Sequence, residues 1–268
     1  MNSSSLSVAL YLEDKFPRPA NTSLPVVAGE SWWGTFNDPS PDRVPFATSV
    51  ISTDWMFPAP TLLVSDVDST LIDEEVIDQL ADLAGVGSQV AEITERAMQG
   101  ELDFEQSLIA RVQQLAGLPF EAFAEVFSGL HIRSGAQTLI DWVHATGGKV
   151  AVVSGGFVPI VDMLAQRLQI DYSLANDLEV VDGKLTGRVR GAVVTSEGKL
   201  AFLRALEQKT GFRSVALGDG ANDIPMMQGA GMGIAVCAKP RAREAVPNHL
   251  DLPLWDAVIG LMGHNATI

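Results

Sequence analysis

Apolar and polar positions change their period several times along this chain. Leu62-Leu63-Val64 is a short continuous apolar run, which reads as a buried strand. The period then lengthens. Val76, Ile77, Leu80, Leu83 and Ala84 recur at helical spacing, and Gly85 ends the run. Val90, Ile93, Ala97 and Met98 mark a second helix, with Ser88 as its expected N-cap and Gly100 as its stop. Asp103 and Gln106 have the spacing of a capping box, and Phe104, Leu108, Val112 and Leu115 follow before Gly117. A fourth helix is expected from Pro119 through Phe123 and Phe127 to Leu130. Four short helices inserted after one strand predict a separate helical cap over residues 74–135.

The sheet resumes with the β-branched run from Lys149 to Val153, which ends in Ser154-Gly155-Gly156. Ile160, Val161, Leu164 and Leu168 return to helical spacing. Residues 177–195 alternate around Asp182-Gly183, a hairpin signal that predicts a small β flap. Leu200, Leu203 and Leu206 mark a further helix. Ser214–Leu217 and Met232–Cys237 read as strands, and Val246 to Leu254 closes the sheet weakly. The expected architecture is α/β, a doubly wound parallel sheet core over 61–73 and 136–268 with the helical cap inserted in it.

Residues 1–60 break this pattern. They hold eight of the fourteen prolines and three of the five tryptophans. Proline removes backbone donors and fixes φ, so an irregular N-terminal arm is expected. Trp32, Trp33, Trp55, Met56 and Phe57 are costly to leave in water, which predicts that part of the arm packs onto the main body. No function follows from this stretch.

Composition narrows the classes. Of 268 residues, 47% are hydrophobic and 19% charged, the balance of a globular protein. A net charge of −15 argues against nucleic acid or an anionic membrane as the main partner. It also means that an anionic substrate needs a local positive site. The single cysteine, Cys237, excludes an intrachain disulfide and fits a cytoplasmic location. No apolar run approaches the ~20 residues of a membrane span. Leu6 to Leu12 is apolar, but no basic residue precedes it, so a secretory signal is not expected.

The polar residues at the strand ends carry the chemistry. Asp66 and Asp68 follow the first strand at i and i+2, on one side of an extended backbone. Paired carboxylates stay ionised beside a cation, and hard oxygen ligands suit Mg²⁺. A solvated turn explains this pair alone equally well. Ser154-Gly155 offers a hydroxyl and bare N–H groups to an anion, or is simply an N-cap. Asp219 stands at a strand end between two glycines, and Asp223 follows as a further carboxylate or as a helix cap. Lys199, at a helix start, is background by itself. Arg111 interrupts an apolar stripe; it either snorkels to solvent or faces a cleft and awaits a carboxylate or phosphate. Three strand ends bearing such groups, with Lys199 just before the last of them, point jointly to a Mg²⁺ site beside a phosphoryl cradle. The four histidines are scattered, so a histidine metal site is not expected.

Asp66-Val67-Asp68-Ser69-Thr70, Ser154-Gly155-Gly156, Lys199 and Gly218-Asp219-Gly220-Ala221-Asn222-Asp223 resemble the four motifs of the haloacid-dehalogenase-like (HAD) phosphatases. Within that superfamily the pattern is most similar to the phosphoserine phosphatases. Thr70 to Glu75, Glu95 to Gly100 and Asp103 to Arg111 are similar to the cap of those enzymes. The resemblance covers roughly residues 61–255. It implies a HAD-like core and Mg²⁺-dependent hydrolysis of O-phospho-L-serine through an aspartyl-phosphate, the last step of phosphorylated serine biosynthesis. Asp66 would be the nucleophile and Asp68 the general acid and base. Mg²⁺ would be held by Asp66, the Asp68 carbonyl and Asp219, with Asp223 in support. Ser154, Gly155 and Lys199 would bind the phosphoryl group, and Asn222 would orient it or the water. Glu75 would meet the substrate ammonium and Arg111 its carboxylate. Met98 and Phe104 would seal the cleft.

Two rivals accompany this expectation. A phosphotransferase, or a phosphatase for another small phosphomonoester, keeps the chemistry and changes the acceptor or substrate. A non-enzymatic phospho-acceptor domain also uses Mg²⁺, clustered aspartates and a lysine. Asp68 and the helical cap both work against that second rival, which needs a long-lived acyl phosphate.

Overall fold

The structure is a computed structural model, and it describes residues 5–16, 26–37, 45–52 and 59–265. Eleven strands form one mixed sheet in the order β2-β3-β1-β4-β11-β10-β9-β5-β6-β7-β8. The first four are β1 (Ser5–Leu12), β2 (Val26–Ala28), β3 (Trp32–Phe36) and β4 (Ala47–Ser52). Then come β5 (Thr61–Ser65), β6 (Lys149–Phe157), β7 (Tyr172–Val181) and β8 (Lys184–Arg190). β9 (Arg213–Gly218), β10 (Met232–Val236) and β11 (His249–Leu250) complete the sheet.

From β11 to β7 every neighbouring pair is parallel. Parallel strands covered by helices are buried on both faces, which is why these segments read as continuous apolar runs. Leu63, Val150, Val152, Val215 and Leu217 enter one core; Leu62, Val64, Ala151, Val153 and Ala216 enter another. Alternate residues along each strand thus serve opposite faces of the sheet.

The helices α1 (Val76–Leu83), α2 (Gly87–Met98), α3 (Phe104–Gln114) and α4 (Ala122–Gly129) lie between β5 and the next helix, α5 (Ala136–Ala145). The chain leaves and re-enters the sheet through two adjacent linkers. Asp73 N–H donates to the His131 carbonyl at 3.0 Å and Arg133 N–H to that of Leu71 at 2.9 Å. The remaining helices are α6 (Val158–Leu168), α7 (Ser196–Thr210), α8 (Ile224–Gly229), α9 (Pro240–Ala245) and α10 (Ala257–Leu261).

Several expectations are corrected. The stretch 1–60 is not an irregular arm where it is described: β1 pairs antiparallel with β3 and β4, and β4 joins β11, so these strands extend the main sheet. Of its prolines, the described Pro45 and Pro60 lie outside the strands, where they remove no ladder bond. Trp32 and Trp33 are fully buried. Trp55, Met56 and Phe57 lie outside the described residues. The apolar segment from Leu6 to Leu12 belongs to β1. Ser88 is not an N-cap; α2 begins one residue earlier, and the Ser88 hydroxyl bonds the Gln89 side chain. Helix α5 was not anticipated, although Leu139, Ile140 and Val143 have helical spacing and are buried. The capping box of Asp103 and Gln106 is present. The turn between β7 and β8 has positive φ at both Asp182 and Gly183, as a two-residue type I′ hairpin requires.

Candidate active site

The polar residues meet at the carboxyl ends of β5, β6 and β9, where an open parallel sheet gathers its ligands. Asp66 follows β5, and its N–H donates to the Leu217 carbonyl of the neighbouring strand at 3.0 Å. Asp219 follows β9. Asp223 ends the 3₁₀ turn Ala221–Asp223, and its Oδ2 accepts the Gly220 N–H at 3.0 Å. Carboxylate oxygens of Asp66, Asp219 and Asp223 lie within 4.8 Å of one another, and all three residues are buried.

Lys199 sits behind this cluster rather than in the cavity. Its Nζ donates to Asp66 Oδ1 at 2.5 Å and to Asp223 Oδ1 at 2.7 Å, and the side chain is fully buried. Burial disfavours the ammonium, but Asp66 and Asp223 outweigh it and hold its pKa above the ordinary lysine range. Burial, then the charge of Asp223, push the Asp66 carboxyl well up in spite of Lys199. Lys199 contacts two of the three aspartates, so the formal negative charge of the cluster exceeds the buried positive charge beside it. An all-carboxylate donor set with that deficit fits a hard divalent cation.

Asp68 is turned to other partners. Its Oδ1 accepts the Val76 N–H at 2.8 Å, at the start of α1. Its Oδ2 accepts the Ser154 hydroxyl at 3.0 Å. Its carboxylate is thus outside the three-aspartate cluster. Burial raises its pKa against these two bonds, which suits a group that must carry a proton.

Ser154 and Gly155 belong to β6, not to a strand-to-helix turn. The register between β6 and β7 shifts between Val153 and Phe157, so a bulge presents this segment at the site. The Ser154 hydroxyl accepts the Gly156 N–H at 2.7 Å. Asn176 secures the bulge by donating to the Gly155 carbonyl at 2.8 Å while accepting the Val194 N–H at 2.8 Å.

A cavity of about 430 Å³ opens between this floor and helices α1–α3. Asp66, Asp68, Gly155, Asp219 and Asn222 line it from the sheet side; Glu75, Met98, Phe104 and Arg111 line it from the helical side. Arg111 is half-buried, and its Nε donates to the Ser107 carbonyl at 3.3 Å. Burial lowers its pKa, opposed by Asp78, Glu75 and Asp68. Glu75 accepts the Ser69 hydroxyl at 2.9 Å; burial, then the charge of Asp68, raise its pKa. The Phe104 ring lies over Gly155, where even an added methyl carbon would come within 2.9 Å of it. Met98 stays 84% exposed, at the mouth.

Two contributors were not found in the sequence. The Thr70 hydroxyl donates to Asp219 Oδ1 at 3.1 Å. Lys239 lines the cavity with its Nζ 3.1 Å from Asp219 Oδ2. The available signal for Lys239 was its place just past the end of a buried strand, the same signal that marks Asp66 and Asp219.

Comparisons agree with this geometry. Residues 63–228 match the family model of the haloacid dehalogenase-like hydrolases. A phosphoserine phosphatase of Streptococcus thermophilus is 53% identical over 204 residues, which cover 75% of this chain and 95% of that protein. A solved structure described as a phospho-aspartyl intermediate analogue of phosphoserine phosphatase superposes with a TM-score of 0.70 at 40% identity, over 75% of this chain and 98% of that one. An unliganded probable phosphoserine phosphatase from Vibrio cholerae superposes with a TM-score of 0.77 at 36% identity, over 97% of this chain and 86% of the other. With its aspartates at the carboxyl ends of parallel strands and helices α1–α4 set between two of those strands, this chain belongs to the haloacid dehalogenase-like hydrolase family.

Proposed function

We propose that this protein hydrolyses O-phospho-L-serine to L-serine and phosphate by way of a phosphoryl group carried on Asp66. The observation that carries the substrate is the pairing of Glu75 and Arg111 above the aspartates, one charge of each sign in a single cavity. An amino-acid headgroup presents the complementary two charges. The relatives named above are phosphoserine phosphatases.

Asp66 attacks phosphorus; a P–O bond to its carboxylate forms as the bond to the seryl oxygen breaks. Asp68 gives its proton to that leaving oxygen, then takes one from the water that cleaves the acyl phosphate and releases phosphate. Mg²⁺ held by Asp66, the Asp68 carbonyl and Asp219, with Asp223 in support, would offset the repulsion between carboxylate and phosphate. Lys199 favours the ionised form of Asp66, against burial and Asp223, and adds positive charge behind the point of attack. Ser154 and Gly155 receive phosphoryl oxygens, and Asn222 orients the group or the water. Phe104 over Gly155 keeps bulk water from the first step, with Met98 at the mouth.

Helices α1–α4 act in this reading as a cap, and the reaction is the last step of the phosphorylated route to serine, in the cytoplasm. Among the described residues no helix is long and apolar enough to cross a membrane. Phosphate release from L-phosphoserine, with Mg²⁺ and with excess chelator, beside esters that lack the ammonium or the carboxylate, tests the proposal. Mg²⁺-dependent preference for phosphoserine is expected. Equal rates on all the esters would remove the headgroup assignment.

A further inference from the structure

Lys239 has no part in the chemistry above, yet it grips the site twice. Its backbone N–H donates to the Asp219 carbonyl at 2.9 Å. Its Nζ lies 3.1 Å from Asp219 Oδ2 and 3.7 Å from Glu75 Oε1, while 63% of the side chain remains exposed. The chain arrives there through Cys237, held at φ 44°, a left-handed conformation that disfavours a residue with a side chain. The end of β10 is thus bent against local preference, and Pro240 then starts α9.

Lys199 and Lys239 differ instructively. Each bridges two carboxylates from different elements. Lys199 is sealed in, with both contacts at hydrogen-bond distance. Lys239 reaches its pair from the surface on a flexible stem, at longer range. Asp219 is buried, but the ammonium that meets it stands at the surface, where solvent can take it over, so this cation is released more readily than the sealed Lys199. The two carboxylates it holds are the ones the proposed reaction engages: Asp219 for the metal ion and Glu75 for the substrate ammonium.

We infer that Lys239 is a tethered, exchangeable cation. In the empty site its ammonium holds Asp219 and Glu75 in place. On loading it yields Asp219 to the divalent cation and Glu75 to the ammonium of the substrate. The inference rests on the proposed function. Without the lysine, two carboxylates beside Asp66 and Asp68 would face each other across the cavity with less positive charge between them. With it, they stay positioned, but incoming cations must compete. Lys239 is therefore a positioning residue.

The test is Mg²⁺ binding to the whole protein by isothermal titration calorimetry, without substrate. Lys239→Met keeps most of the apolar stem and removes the charge; Lys239→Arg keeps the charge. Lys239→Met is expected to bind Mg²⁺ on the order of threefold tighter than the parent protein, and Lys239→Arg to match the parent. The KM of Lys239→Met for phosphoserine should fall relative to its KM for an ester lacking the ammonium, and Lys239→Arg should restore the parent ratio. Unchanged or weaker Mg²⁺ binding by Lys239→Met overturns the inference alone. A parent protein that binds no Mg²⁺ overturns the proposed function, and this inference with it.

Discussion

One sheet carries two unlike halves. In the parallel half, from β11 to β7, strand ends bear Asp66, the Ser154-Gly155 bulge, Asp219 and Lys239. In the antiparallel half, β1 to β4, the described residues contribute nothing to the cavity and bury Tyr11, Trp32 and Trp33. Parallel strands all point their carboxyl ends the same way, so loops from distant segments converge on one edge. Antiparallel strands send successive loops to opposite edges, so only every second connection reaches a given edge. The N-terminal half is therefore read as bracing. The Trp32 Nε1–H donates to Asp256 Oδ2 at 2.7 Å. The adjacent Trp255 donates its indole N–H to the Thr70 carbonyl at 3.1 Å, and the Thr70 hydroxyl in turn meets Asp219. The brace ends directly behind the proposed metal side of the site.

If the halves divide labour this way, activity and stability should separate under mutation. The largest separation is expected from Asp66→Asn. An amide is no nucleophile, so turnover of phosphoserine should fall by about 10³-fold or more. The same change removes a charge that burial disfavours, so the melting temperature should hold or rise. Steady-state assay beside thermal unfolding reads both. Comparable loss of stability would mean that Asp66 also holds the fold together.

Arg111→Ala comes next. It should cost phosphoserine hydrolysis on the order of 30-fold, the scale of a charge-assisted contact, while hydrolysis of an aryl phosphate without a carboxylate changes little. Equal loss on both substrates would take Arg111 out of headgroup recognition. It would shift the half-buried guanidinium to a role in holding α3.

The N-terminal half is tested by Trp32→Phe, which keeps an aromatic ring but loses the indole N–H bond to Asp256 and part of the buried volume. A cost of about 2–4 kcal/mol in unfolding free energy is expected, from the lost hydrogen bond to a charged partner and the volume removed from a buried site, with kcat/KM within about twofold of the parent at a temperature where both are folded. A matching fall in kcat/KM would break the comparison, because the brace would then set the geometry of Asp219.

The two halves were not equally legible in the sequence. Leu62 to Val64 and Val215 to Leu217 declare themselves because burial on both faces leaves no polar interruption. Asp66 and Asp219 stand out because a carboxylate follows each run within two residues. The hairpin at Asp182-Gly183 was legible from the positive φ that its turn demands. The N-terminal strands were not, since proline-rich connections hide short strands whose partners lie far away in sequence: Thr48 pairs with His249. Lys239 was passed over for a different reason, although it too follows a buried strand. An exposed lysine looks like solvated surface until the fold sets Glu75 and Asp219 beside it. Lys199 was background by its own spacing and was picked out only together with the strand-end groups and through the family resemblance; its place behind Asp66, outside the cavity lining, depends on how α7 packs.

The comparison sharpens further within the parallel half, where the opposite edge of the sheet also holds a carboxylate. Asp171 lies near the amino ends of β6 and β7. It accepts from Lys149 Nζ at 2.5 Å, His144 Nε2 at 2.9 Å and the Val150 N–H at 2.9 Å. Burial works against its ionised form, but the bond from Lys149, then those from Val150 and His144, leave its pKa below the ordinary aspartate range. A carboxyl depressed on folding adds stability above its unfolded pKa of about 3.9. That stability is lost as pH falls through the lower folded value. Asp171→Asn should therefore melt a few degrees below the parent at pH 7, on the order of 1 kcal/mol at most for a pair open to solvent screening. The gap should close as pH drops below about 4, with turnover at pH 7 unaffected. A gap independent of pH would mean that Asp171 acts by packing rather than by charge. A loss of turnover would mean that chemistry in this sheet is not confined to its carboxyl edge.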